Sequence, residues 1–186
     1  MSAAIAGTES VPIADDVLAA IDYCYAQGWA ADGLPVVPPE QSRVQAMLAM
    51  EGRPPETILA VHPATGAECS IANAAVNAVM AGCKPDYFPV VVAALEAMNH
   101  PDFNFHGSTA STGGSAHLLV VSGPVVQDIG LNAEGNVLGP GNRANATIGR
   151  AIRLIIEKLL HPGLGPTSLA DDAGMLRREQ HDRLAR

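Results

Sequence analysis

Aromatic side chains are scarce in this chain: 4% of 186 residues, with one Trp, three Tyr and three Phe. Apolar residues still reach 48%, so small side chains, Ala and Val above all, carry the hydrophobic content. Small residues let helices approach closely, but each buries little area, so part of the apolar surface is expected to be covered between subunits. Basic residues are also few. Eleven Lys and Arg against 19 Asp and Glu give a formal net charge of −8. Recognition of a phosphate backbone needs clustered Lys and Arg, so nucleic acid is not expected as a partner. The three cysteines, Cys24, Cys69 and Cys83, are too sparse and odd in number for a disulfide framework. The opening residues lack the basic and apolar regions of a secretory signal. No unbroken apolar run approaches the ~20 residues of a membrane helix. A cytoplasmic location and no membrane partner are the expectations.

What is present reads as a globular chain. Its apolar fraction excludes general disorder, and its length fits one domain with short appendages. These are a loose arm over 1–13, a single domain over 14–165, and a loop with a charged helix over 166–186. Within the domain, Val17, Leu18, Ile21, Cys24 and Tyr25 recur at helical spacing and predict a helix over 14–29. Residues 32–39, rich in proline, predict a rigid extended connector. A second helix is expected over 40–51 and a short strand over 57–61. Ser70 suits the N-cap of an Ala-rich helix that Gly82 ends, and Pro85 and Pro89 suit the start of the next helix, over 86–99. The near-continuous apolar run Ala116 to Ser122 predicts a strand buried on both faces. Ile148, Ala151, Ile152, Ile155 and Leu159 form the stripe of an amphipathic helix over 142–161. The expected class is α/β or α+β, with a small, mainly buried sheet of few strands surrounded by several helices.

Three stretches carry candidate chemistry. In Gly139-Pro140-Gly141-Asn142-Arg143-Ala144-Asn145-Ala146-Thr147-Ile148-Gly149-Arg150, glycines precede a helix N-terminus, whose free N–H groups and positive dipole end suit an anion. Arg143, Thr147 and Arg150 share one helix face, with Asn142 and Asn145 beside them; the plainer alternative is a helix capped by Asn142. Formally the stretch also matches a relaxed dinucleotide fingerprint, but Pro140 removes a donor and no strong strand precedes it. The loop His106 to Ser115 holds five hydroxyl residues and three glycines. Ser108, Thr109, Ser111 and Thr112 can line an anion nest, and His106 can transfer protons near neutral pH. Cys83, between Gly82 and Lys84, gains a lowered pKa if it opens a helix, and a thiolate there is a nucleophile; otherwise it is a small buried hydrophobe. Asn73 and Asn77 place two amides on an apolar helix, facing a pocket, or else bonding loop backbone or a partner subunit. His62, Cys69, Cys83 and His106 match no standard zinc spacing, so no cofactor is predicted and a metal is the weaker alternative.

The motifs Gly28-Trp29-Ala30-Ala31-Asp32-Gly33-Leu34-Pro35-Val36-Val37-Pro38-Pro39, Asn77 to Pro85, and Gly139 to Arg150 resemble a bacterial family related to, or associated with, proteins carrying the UGSC-like domain. The motif of that domain contains selenocysteine or cysteine. The resemblance covers residues 28–160. It implies no particular reaction, but it draws attention to Cys83 and to the 139–150 segment. The expected function is an enzyme, or the substrate-binding subunit of one, acting on a small anionic organic molecule. A thiol-dependent lyase, hydrolase or oxidoreductase would use Cys83 as nucleophile or redox group and His106 as proton carrier. The alternatives are a non-catalytic assembly or regulatory subunit, and a His/Cys metalloprotein. A homo-oligomer or a companion subunit is the expected assembly.

Overall fold

A computed structural model describes residues 16–109 and 116–159. Helix α1 (Val17–Ala26) starts where the Asp16 carboxylate accepts from the Leu18 N–H; of the expected connector, residues 32–34 complete a turn in which Gly33 has φ 75°, and residues 35–40 are extended. Next come helix α2 (Gln41–Leu48), strand β1 (Ile58–Val61) and strand β2 (Glu68–Ser70). Helix α3 (Ile71–Ala81) begins on the Ser70 side chain, which accepts from the Asn73 N–H, and ends at Gly82 with φ 91°. A left-handed residue at that position is one that glycine adopts without a steric penalty. A single 3₁₀ turn, Pro85–Tyr87, leads into helix α4 (Phe88–Met98). Two short helices, α5 (Phe105–Thr109) and α6 (Val125–Asp128), precede the long helix α7 (Arg143–Leu159).

Helix α3 is the centre. Ile71, Ala72, Ala74, Ala75, Ala78, Val79, Met80 and Ala81 are all buried, so it is apolar on nearly every side, as a helix enclosed by others must be. It packs against α7, α2 and α4, and α4 also covers β1. Helix α7 contributes Ala144, Ile148, Ala151, Ile152, Leu154, Ile155 and Ile156 to the same core, a broader stripe than the predicted one. The two strands pair antiparallel, Ala60 opposite Cys69 and Val61 opposite Glu68, with a register shift between Ile58 and Ala60. Of the two classes expected from sequence, the architecture is α+β.

Several expectations change. The segment Ala116 to Ser122 forms no strand ladder. Leu118 and Val120 are 73% and 87% exposed, so the run is covered on one side only. The second strand comes instead from Glu68–Ser70, too short to show a period. In α1 only Cys24 is buried, while Val17 and Leu18 are 68% and 71% exposed; the helix follows the predicted periodicity, but of its apolar stripe only Cys24 enters this core. The loop predicted over 106–115 begins as α5, and Ser111 and Thr112 lie outside the described residues, as do the N-terminal arm and the charged C-terminal helix.

Candidate functional site

The predicted site residues separate into three places. The first is the turn after α3. Arg143 donates from Nε and Nη2 to the Gly82 carbonyl at 3.0 and 2.9 Å, placing a cation on the negative end of α3. The Cys83 thiol donates to the Thr147 carbonyl at 3.3 Å, and the Thr147 hydroxyl donates to the Arg143 carbonyl at 2.8 Å. Arg150 reaches Asp32 with Nε–Oδ2 at 2.6 Å and Nη2–Oδ1 at 3.1 Å, and donates to the Leu34 carbonyl. The three residues share one helix face as predicted, but that face grips the Gly82 turn and the connector.

Cys83 is 7% exposed. Its place is the C-terminal end of α3, before the 3₁₀ turn, and burial pushes its thiol up to about 11 despite the Thr147 hydrogen bond and the Arg143 charge. Burial likewise pushes Cys69 up to about 12. The lowered pKa expected for Cys83 is therefore replaced by a raised one. A thiol at that value holds two to three orders of magnitude less thiolate at pH 7.5 than a free cysteine near 8.5. Alkylation of native protein at pH 7.5, followed site by site with mass spectrometry, is expected to leave Cys83 slower than a free thiol by at least that factor, with full reactivity after unfolding. Fast native labelling of Cys83 would refute the buried-thiol description.

The second place is the start of α7. Asn142 is its N-cap: Oδ1 accepts from the Asn145 N–H at 3.0 Å while Nδ2 donates to the Gly130 carbonyl at 2.8 Å. Asn145 exchanges hydrogen bonds with the Asn132 backbone at 2.9 and 3.0 Å and donates to the Val137 carbonyl. These amides tie loop 130–137 to the helix. Beside them opens a cleft of about 580 Å³, lined by Val126, Gln127, Leu131, Glu134 and Pro140 among others. Asn77, on α3, is buried; Nδ2 donates to the Asn73 carbonyl at 2.9 Å and Oδ1 has no partner among the described residues.

The third place is a histidine–hydroxyl cluster. His62 is 1% exposed. The Thr65 N–H donates to its Nδ1 at 3.3 Å, so Nε2 carries the ring proton and donates to Thr109 Oγ1 at 3.1 Å. Its ring meets Phe105 and His106 edge to face, with centroids 5.5 and 5.9 Å apart. His106 is exposed. His117 Nε2 lies 3.0 Å from Ser108 Oγ, whose hydroxyl also reaches the Phe105 carbonyl at 2.9 Å. Burial first, and the Arg153 charge second, hold His117 below the ordinary imidazole value. The cluster is built by α5, by the β1–β2 turn and by the half-covered side of segment 116–122.

His106, Ser108 and Thr109 lie together on α5, and no hydrogen bond or ring contact joins them to Cys83 among the described residues. The cluster adds His62 and His117, which the sequence places only as a weak metal ligand and as part of a buried strand. The available signal was that His106 and His117 bracket the Ser/Gly stretch. His62, Cys69, Cys83 and His106 do not converge: among the described residues no three or more His, Cys, Asp or Glu side chains have metal-site geometry. No described helix is long and apolar enough to cross a membrane. Comparison with family models, curated proteins and solved structures finds no match to this chain.

Proposed function

We propose that the chain is an enzyme, or the substrate-binding subunit of one, that moves protons on a small anionic organic molecule at the histidine–hydroxyl cluster. The observation that carries this reading is the 3.0 Å approach of His117 Nε2 to Ser108 Oγ. A hydroxyl can rotate from one acceptor to another, so Ser108 can turn its proton from the Phe105 carbonyl to His117. With burial and Arg153 keeping the ring neutral at pH 7, His117 is ready to act as a base. Arg153, itself paired with Glu157, places positive charge near enough to act on His117, and an incoming anion would compete with Glu157 for it. His106 is the exposed second proton carrier, and His62 is a positioning residue that holds Thr109. Cys83, buried and bonded to Thr147, acts in packing rather than as the nucleophile.

The test is proton NMR of the imidazole C–H resonances, titrated with pH and with small carboxylates and inorganic phosphate. His117 is expected to titrate below the ordinary value of about 6.5. Because its conjugate acid gains from a nearby anion, its midpoint should rise when the right class of anion binds. Activity that uses this base is expected to fall as pH drops through that midpoint. His117→Gln should abolish both responses. If no anion at millimolar concentration moves either His106 or His117, this reading fails.

A further inference from the structure

Segment Ala116 to Ser122 contains no helix, turn or bridge. Its burial alternates: Ala116, Leu118 and Val120 are exposed, while His117, Leu119 and Val121 are half-buried. That period of two is the signature of an extended chain. Leu119 and Val121 pack on the core, so the segment is held along its length. Yet none of its backbone N–H or C=O groups has an intrachain hydrogen-bond partner among the described residues. Natural edge strands are guarded by lysines, prolines or bulges. This one has none: from Phe103 to Gln127 the only proline is Pro124, past the segment, and there is no Asp, Glu, Lys or Arg.

We infer that this segment is the seam of a twofold dimer, pairing antiparallel with the same segment of a second copy. Three features favour a second copy over a different protein. Antiparallel pairing of identical strands is itself twofold symmetric, which is the commonest symmetry of soluble oligomers. The register that sets Leu119 opposite its own counterpart keeps every side chain on its present face. It places Leu118 opposite Val120 of the other copy, and Val120 opposite Leu118, two apolar cross-strand pairs on the outer face. Finally, each chain carries −8, so two copies approach with least repulsion along an uncharged surface, whereas a foreign partner for an acidic chain would be selected by charge. The pairing also bears on the candidate site, because His117 stands on the inner side of the seam. The inference does not depend on the chemistry proposed there.

Sedimentation velocity of the full chain, from micromolar to several hundred micromolar, should show a species of twice the chain mass. L118K/V120K, which sets lysines opposite lysines, should sediment at the single-chain mass with unchanged far-UV circular dichroism. Hydrogen exchange of the wild-type protein provides a check that needs no variant: alternate amides within 116–121, those facing the seam, should be at least tenfold slower at high concentration than at low, while those between them stay unchanged. A wild-type chain that stays single at every concentration overturns the inference, and so does a variant that remains dimeric. Loss of helical dichroism in L118K/V120K, together with concentration-independent protection, would mean that the chain's own residues cover the segment, which also overturns it.

Discussion

Arg150→Met is expected to lower the unfolding free energy at pH 7 by about 2–3 kcal/mol, somewhat less than the loss of a partner from a fully buried ion pair. Its side chain and that of Asp32 are 20% and 19% exposed, so water screens part of the interaction. Two guanidinium–carboxylate hydrogen bonds and one to the Leu34 carbonyl go at once, and Asp32 is left mostly covered with its charge. The connector then loses its tie to α7. The pH dependence follows in sign. Burial on its own raises the Asp32 pKa, but the Arg150 hydrogen bond, the Leu34 N–H and the Arg150 charge outweigh it and leave a lowered value. A carboxylate with a folded pKa below its unfolded value stabilises above the ordinary range of about 3.9, and that contribution is lost as pH falls through the folded value. Urea unfolding at pH 7 and again near pH 3 should therefore show the wild-type advantage over Arg150→Met shrinking in acid. An unchanged midpoint at pH 7 would show that the pair contributes nothing.

His62→Ala is expected to cost about 2–4 kcal/mol, the range for a large buried side chain removed together with its hydrogen bonds. The substitution opens a void beside Phe105 and releases Thr109 and Thr65. His62→Phe separates the two contributions. It keeps a ring against Phe105 and should recover a large part of the stability, yet it cannot donate to Thr109. Thermal unfolding reads the first effect. The response of the His106 and His117 resonances to anions reads the second, and it should stay impaired in His62→Phe. If both variants melt with the wild type, His62 is not the hub described here.

Local signals located most of the helices. Ser70 and Gly82 mark the ends of α3 because a side-chain cap and a left-handed residue are requirements of single positions. The spacing of Ile148, Ala151, Ile152 and Ile155 marks α7 because amphipathic periodicity belongs to the chain itself. Long-range facts were not legible. An apolar run such as Leu118 to Val121 looks the same whether both faces are covered or one, since burial depends on what else arrives. Helix α1 shows the same limit, with Val17 and Leu18 in helical register but facing outward. At the site, the helix face of Arg143, Thr147 and Arg150 was readable, but not that it would close on Gly82 and Asp32. His62 and Thr109 are 47 residues apart, and only the tertiary fold brings them into contact. The Cys83 environment also inverted: its neighbours in sequence pointed to activation, whereas its neighbours in space enclose it.

Helix α7 serves two of these centres at once. Arg143, Thr147 and Arg150 engage the Gly82 turn and the connector, and Arg153 acts on His117. At 1.5 Å per residue, the ten steps from Arg143 to Arg153 span about 15 Å of one rod. The rod is one rigid piece, so the contacts that hold Arg143, Thr147 and Arg150 also fix where Arg153 stands beside His117. The thiol region and the imidazole region, though chemically unconnected, therefore take their alignment from the same helix.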